Sequence, residues 1–265
     1  MDFVFVGGGN MGRALAEALI RHQVCRPEAI LVIDPVPAAR EHAARLGCAV
    51  GEAVDGRVGE GAVVVLAVKP QQAQAVCAAI RGRLQAGQVV VSIMAGVSLA
   101  ALREALGHAA VVRVMPNTPA QVGMGMSVYF AAPEVTPRQA RAVEALLGAS
   151  GEVLAVANED AIDAATAVSG SGPAYVFYVA EHWMLAAQRL GFSEPEARQL
   201  VQQTLLGATA LWKQLGGSPA VLREQVTSKG GTTAAALEAF HGQALGEALE
   251  AGIARAYARA KELGR

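Results

Sequence analysis

Several kinds of chemistry are excluded by what this chain does not have. Only three of its 265 residues are cysteine, namely Cys25, Cys48 and Cys77. They form no C-x-x-C pair and their number is odd, so neither a disulfide framework nor a thiolate zinc site fits, and they read as reduced, buried thiols of a cytoplasmic protein. His22, His42, His108, His182 and His241 are scattered without metal-ligand spacing, so no metal is expected. His182 falls in mid-helix and reads as a packed or interface residue. No G-x-S-x-G elbow is present. Lysine is restricted to Lys69, Lys213, Lys229 and Lys261. No apolar run approaches the ~18 residues of a membrane span, and no charged-then-apolar leader precedes the first strand. The formal net charge is −1 with no long basic run, which argues against nucleic acid as a partner. The cluster Arg255, Arg259, Lys261 and Arg265 suits the C-terminal end of a last helix.

Apolar residues are abundant, at 53% against 17% charged, so a large core is expected and disorder is not. The length admits two domains or one large one. The most informative stretch opens the chain. Asp2 to Val6 is a short apolar run, Gly7-Gly8-Gly9-Asn10-Met11-Gly12 follows, and Arg13 to Leu19 has helical period. Gly7, Gly9 and Gly12 fit G-x-G-x-x-G between a strand and a helix. In that pattern the first glycine permits the turn, the second lets a pyrophosphate approach, and the third packs helix on strand. The phosphates would meet free N–H groups at the positive end of the helix. A second strand, Ala29 to Ile33, ends at Asp34, about where a ribose-binding acid is expected. A dinucleotide-binding unit is the reading that joins these features.

The first half continues as alternating strand and helix. Helices are expected over 37–46, 71–84 and 99–106, the last capped by Ser98. Strands are expected over 62–68, 89–93 and 111–114, with a further strand or hairpin in 122–131. Thr136 to Gln139 is a capping box opening a helix to about Ala149, and Glu152 to Val156 closes the sheet. Such repeats imply an α/β Rossmann-type parallel sheet with right-handed crossovers. Its ligand-binding rim lies beyond the strand carboxyl ends, which puts Gly7–Gly12, Asp34, Lys69-Pro70, Met94-Ala95-Gly96 and Met115–Thr118 on one edge.

From Asn158 onward no strand is expected. The division is therefore 1–157, a dinucleotide-binding domain, and 158–265, an all-helical substrate and dimerisation domain. Within the latter, Ser169–Pro173 interrupts a helical run and Thr227–Thr233 is a Gly-rich turn before a helix. Both offer hydroxyls and free N–H groups to an anion. Beside a dinucleotide they point to a carboxylate-bearing substrate facing the nicotinamide. With so little acid–base machinery, hydride transfer to an already electrophilic protonated C=N bond fits best. The helices over 174–215 carry more apolar side chains than one small helical domain can bury, so a homodimer is expected.

Phe5 to Gly12, Ala67-Val68-Lys69-Pro70, Met115 to Ala120, Ser169 to Tyr175 and Leu222 to Thr233 together resemble pyrroline-5-carboxylate reductase, in order and over essentially the whole chain. The resemblance implies reduction of 1-pyrroline-5-carboxylate, a cyclic imino acid, to L-proline by NADPH or NADH, the last step of proline biosynthesis. It also implies a Rossmann domain and a helical domain that interlocks two subunits, often within larger homo-oligomers. Carried over, Val6, Gly7, Gly8, Gly9, Asn10, Met11 and Gly12 with Ala67, Val68, Lys69 and Pro70 hold the cofactor. Met94, Ala95, Gly96 and Asn117 lie on its nicotinamide side. Ser228 and the backbone of Gly230, Gly231, Thr232 and Thr233 take the substrate carboxylate, with the loop supplied by the partner chain. Thr233, the catalytic candidate, sits by the ring nitrogen, with Glu159 nearby. Lys229 stands where proline is common. Asp34 favours an NAD ribose diol over a 2′-phosphate, although the family more often uses NADPH; Arg13 and Arg40 are candidates to offset it. Two other readings are a dehydrogenase of the β-hydroxyacid type and a non-catalytic dinucleotide sensor. The first generally needs a lysine early in the helical domain, and none lies between Lys69 and Lys213. The second needs no substrate loop.

Overall fold

The structure is a computed structural model and describes residues 1–264; Arg265 lies outside the described residues. It divides into two compact units, Met1–Pro173 with Ala256–Arg265, and Ala174–Arg255. This division falls after Pro173, whereas the sequence pattern changes near Ala157.

The first unit begins with β1 (Phe3–Val6), α1 (Asn10–Arg21), β2 (Ile30–Ile33), α2 (Pro37–Arg45), β3 (Ala49–Gly51) and β4 (Val63–Leu66). It continues with α3 (Ala73–Ile80), β5 (Val89–Ser92), α4 (Leu99–Leu106), β6 (Val111–Met115) and β7 (Gly125–Ala131). Then come α5 (Pro137–Gly148), β8 (Gly151–Ala155) and α6 (Asp160–Ala165). One sheet has the order β3-β2-β1-β4-β5-β6-β7-β8. The pairs are parallel except β6–β7, which is antiparallel. The three-residue β3 was not expected, and the stretch read as strand or hairpin is the single strand β7.

The sheet is buried on both faces, which is why β1, β2 and β4 are continuous apolar runs rather than alternating ones, and β5 departs from this only at Ser92. Phe3, Phe5, Val63 and Val65 face α1, α2 and α5 through Leu15, Leu19, Ala43 and Leu146. Val4, Val6, Val64 and Leu66 face α3 and α4 through Ile80, Leu102 and Leu106. Local signals set the helix ends: Ser98 Oγ accepts from Ala101 N, Gly107 takes the left-handed conformation at φ 62°, and Thr136 with Gln139 forms the capping box.

After α6 the chain makes a π-helical turn, Thr166–Gly170, and runs on into α7 (Gly172–Arg189). The expected interruption at Ser169–Pro173 is therefore a widened helical turn rather than a loop. Next are α8 (Glu194–Leu215), α9 (Pro219–Gln225), α10 (Thr232–Gly242) and α11 (Leu245–Leu263). Among the described residues no strand follows β8. Among the described residues no helix is long and apolar enough to cross a membrane, and no group of His, Cys, Asp or Glu is arranged to hold a metal.

The second unit buries very little of itself. Among the described residues α7, α9 and α10 have no buried side chain, and α8 buries only Ala197 and Val201. Phe177, Trp183, Leu206 and Trp212 are all largely exposed. A crevice of about 870 Å³ runs between α7 and α8, walled by apolar side chains including Val176, Phe177, Leu205 and Leu206.

Candidate active site

The strand order reverses between β1 and β4, and there an open crevice of about 390 Å³ lies beyond the strand carboxyl ends. Its walls come from Gly9, Asn10 and Met11 after β1, and Ala67, Val68 and Lys69 after β4. Ile93 follows β5, Met115 ends β6 with Pro116, Asn117 and Thr118 after it, and Gly170 comes from the π-helical turn. A topological switch point is where open α/β sheets bind ligands.

The three glycines of the motif do different things. Gly7 has φ +108°, and a Cβ there would lie 2.5 Å from the Ala67 carbonyl oxygen. A Cβ on Gly12 would lie 2.3 Å from the Gly7 carbonyl oxygen. Both must be bare for strand and helix to meet. Gly9 is different: a Cβ would have no neighbour within 4 Å. Gly9 is also the N-cap of α1, and no side chain caps the first turn. The uncapped donors, the positive helix end and the unfilled space above Gly9 together fit a pyrophosphate.

Asp34 follows β2 beside this loop. Its carboxylate accepts from Gly8 N at 2.7 Å and from Val36 N at 2.8 Å, while Arg40 Nη1 donates to its carbonyl oxygen at 2.7 Å. Asn117 acts as a bracket at the far side. Its Nδ2 donates to Ser169 O at 3.1 Å and its Oδ1 accepts from Met126 N at 2.8 Å. The bracket holds the π-helical turn against β7, so that Gly170 reaches the crevice. A Cβ on Gly170 would meet the Met115 methyl at 2.5 Å. Such π-turns tend to occur at functional positions.

Met94, Ala95 and Gly96 do not line this crevice; Ile93 does. The Met94 side chain is 2% exposed and packs in the core with Leu102 and Leu106, and Gly96 lies against Leu263 at the end of α11. Glu159 is also engaged elsewhere. Its Oε1 accepts from Arg113 Nη1 at 2.9 Å and from Leu99 N at 2.7 Å. Arg113, 4% exposed, also holds Asp163 at 2.6 Å, and its Nε is buried without a hydrogen-bond partner. The carboxylate read as a substrate contact thus caps α4 and ties α6 to β6.

In the second unit, Ser228, Gly230 and Gly231 precede α10. Gly231 N donates to Ser228 O at 3.0 Å, and a Cβ on Gly231 would lie 2.4 Å from Ser228 Oγ, so a larger residue there would push the serine hydroxyl out of its place. Gly230 has φ +71°. Gly231 is the N-cap and no side chain caps the turn, which leaves the N–H groups of Thr232 and Thr233 facing outward from a positive helix end. The Gly-rich stretch is thus shorter than expected, because Thr232 and Thr233 are already helical.

Residues 159–263 match the family model described as pyrroline-5-carboxylate reductase dimerisation, and residues 2–96 match one described as NADP oxidoreductase, coenzyme F420-dependent. A pyrroline-5-carboxylate reductase of Haemophilus influenzae is 39% identical over 264 residues, covering 98% of this chain and 96% of the relative. One from Pseudomonas aeruginosa is 40% identical, covering 98% and 95%. This chain belongs to the pyrroline-5-carboxylate reductase family. Among solved structures, the Coxiella burnetii pyrroline-5-carboxylate reductase superposes with a TM-score of 0.92 at 35% identity, covering 100% of this chain and 98% of that one. The Plasmodium falciparum pyrroline carboxylate reductase, solved with NADP bound, gives 0.90 at 26% identity, with the same two coverages.

Within this family member, sequence reasoning placed Met115 on the rim but missed Ile93 and Gly170 as crevice walls. The signal for Ile93 was its place one residue past the end of β5. For Gly170 no periodicity marks a π-turn, and only the small-residue cluster around it was visible. The cysteines stand outside this chemistry: all three are free thiols, and burial pushes Cys48 up to about 11.

Proposed function

We infer that this chain reduces 1-pyrroline-5-carboxylate to L-proline with hydride from NAD(P)H; its relatives' names give the substrate and the reduction. The observation that carries the reading is the switch-point crevice floored by the uncapped first turn of α1. The dinucleotide, when bound, supplies a hydride to the imine carbon. The protein's part is to bind and orient. The N–H groups of Asn10 and Met11 take the pyrophosphate, and Asp34 takes the adenosine ribose. The first turn of α10, with Ser228, takes the substrate carboxylate. The Thr233 hydroxyl meets the ring nitrogen, which arrives protonated and so needs no strong acid. Glu159 acts through Arg113 and Leu99, holding the segment after β5 in place. The free thiols support a cytoplasmic setting. Mixing protein with NADH or NADPH and 1-pyrroline-5-carboxylate should consume the reduced-nicotinamide absorbance; no consumption with either dinucleotide would overturn the assignment.

A second copy of the chain is the proposed cover for the exposed faces of α7 and α8, because an isolated helical unit with so few buried side chains gains little from folding. Light scattering is expected to give a dimer or larger homo-oligomer. Phe177→Glu, which puts a charge on the exposed face, should dissociate it and remove activity together. An active, monodisperse monomer would contradict this.

Asp34→Ser tests the ribose assignment. It removes a carboxylate that favours a ribose diol and repels a phosphate. A lost charge-assisted hydrogen bond is worth about 1.5–3 kcal/mol, so the NADH-to-NADPH ratio of kcat/KM should fall by several-fold or more. An unchanged ratio would show that Asp34 serves only Gly8 and Val36.

A further inference from the structure

We propose that Arg40 is the subsite for a 2′-phosphate on the dinucleotide, and that Glu52 competes with that phosphate for its guanidinium. This rests on the dinucleotide reading above and extends it to how the chain discriminates between NADPH and NADH.

Arg13, exposed at the start of α1, leans on Glu17 of its own helix at 3.4 Å. Arg57 is occupied by Asp55 through three side-chain hydrogen bonds. Arg40 is placed differently. Its Nη1 donates to the carbonyl oxygen of Asp34, the residue that meets the ribose, at 2.7 Å. Among the described residues it makes no other side-chain hydrogen bond. Its Nη2 lies 3.8 Å from Glu52 Oε2, which is an electrostatic contact beyond hydrogen-bond range. Arg40 is 21% exposed at its side chain and Glu52 is 76% exposed. One end of the guanidinium is therefore anchored at the ribose position, and the other faces a solvated carboxylate with which it makes no hydrogen bond.

A planar guanidinium with free donors suits a phosphate, to which it can bond through two N–H groups. A phosphate on the ribose 2′-oxygen would approach Asp34, whose carboxylate repels it, and Arg40, whose charge attracts it. Glu52 weakens that attraction by partly neutralising Arg40 and by adding a negative charge beside the incoming anion. A ribose with a free 2′-hydroxyl feels neither effect strongly. The arrangement permits both dinucleotides, with Glu52 setting the handicap on NADPH.

The test is calorimetric affinity of the full-length protein for NADPH and for NADH, at low and moderate salt, with Glu52→Gln, Arg40→Met and the double variant. Glu52→Gln should tighten NADPH by about 2- to 5-fold, as expected for an exposed ion pair, and leave NADH within a factor of two. Arg40→Met should weaken NADPH by about 10- to 100-fold, as for a lost charge-assisted bond. In the Arg40→Met background the Glu52→Gln effect should vanish, because the two act through one guanidinium. The NADPH gain should shrink as salt rises. Unchanged NADPH affinity in either single variant overturns the proposal. Equal loss of NADH and NADPH in Arg40→Met also overturns it, because Arg40 would then only support the Asp34 loop. Failure of the wild type to bind either dinucleotide is a separate result, and it overturns the dinucleotide reading itself.

Discussion

Thr233→Ala is expected to lower kcat/KM for the cyclic imine by about 10- to 1000-fold, the range for a lost active-site hydrogen bond, with dinucleotide affinity unchanged. Thr233 is the second residue of α10, after the N-cap Gly231. Gly230 and Gly231 let the backbone approach a carboxylate closely, and the Thr233 hydroxyl then lies one residue into the positive end of the helix. As hydride arrives the ring nitrogen changes from iminium to amine. A hydroxyl that follows this change stabilises the transition state more than the ground state, so its loss appears in kcat and not only in KM. Thr233→Ser keeps the hydroxyl and should recover most of the activity. A purely structural role predicts otherwise. Because the N-cap is Gly231, Thr233 does not cap its helix, and alanine there should leave the melting temperature close to that of the wild type. Wild-type turnover in a folded Thr233→Ala protein would remove Thr233 from the mechanism.

Gly9→Val should abolish dinucleotide binding while the protein stays folded. This separation follows from the geometry of the loop. A Cβ at Gly7 or Gly12 would strike backbone at 2.5 and 2.3 Å, so substitutions there damage the fold as well as the site. At Gly9 a Cβ meets nothing within 4 Å, and the backbone, with φ −68° and ψ −176°, is one that valine adopts readily. The side chain would instead occupy the space above the uncapped N–H groups of α1. Unaltered helical content by circular dichroism with no calorimetric heat for NADH or NADPH is the expected pair of results. Tight binding by Gly9→Val would place the pyrophosphate elsewhere.

Much of this arrangement was legible because local rules and tertiary packing agree. The strand–glycine–helix start, the Ser98 cap and the Thr136 capping box each depend on residues within a turn of one another. What escaped depends on distant partners. The short β3 is three residues added to the edge at β2, with too little pattern to announce a strand. The antiparallel β7 is set by the sheet it joins, and its own residues do not encode direction. Met94 follows a strand end, which put it on the expected rim, but its side chain turns into the core beneath α4. Glu159 looked available to a ligand because its partners, Arg113 and Leu99, lie 46 and 60 residues earlier. The exposed faces of α7 and α8 were foreseeable from their excess of apolar residues, since surplus can be counted without knowing what covers it.

The most direct measurement follows the hydride itself. The protein is incubated with 1-pyrroline-5-carboxylate and a reduced dinucleotide carrying deuterium at the transferable position, and the proline is examined by mass spectrometry and NMR. The expected product is L-proline with one deuterium on the ring carbon next to nitrogen, on the side away from the carboxylate, in equal amount to the dinucleotide oxidised. Unlabelled proline, or dinucleotide oxidised without proline formed, would contradict direct hydride transfer to the imine.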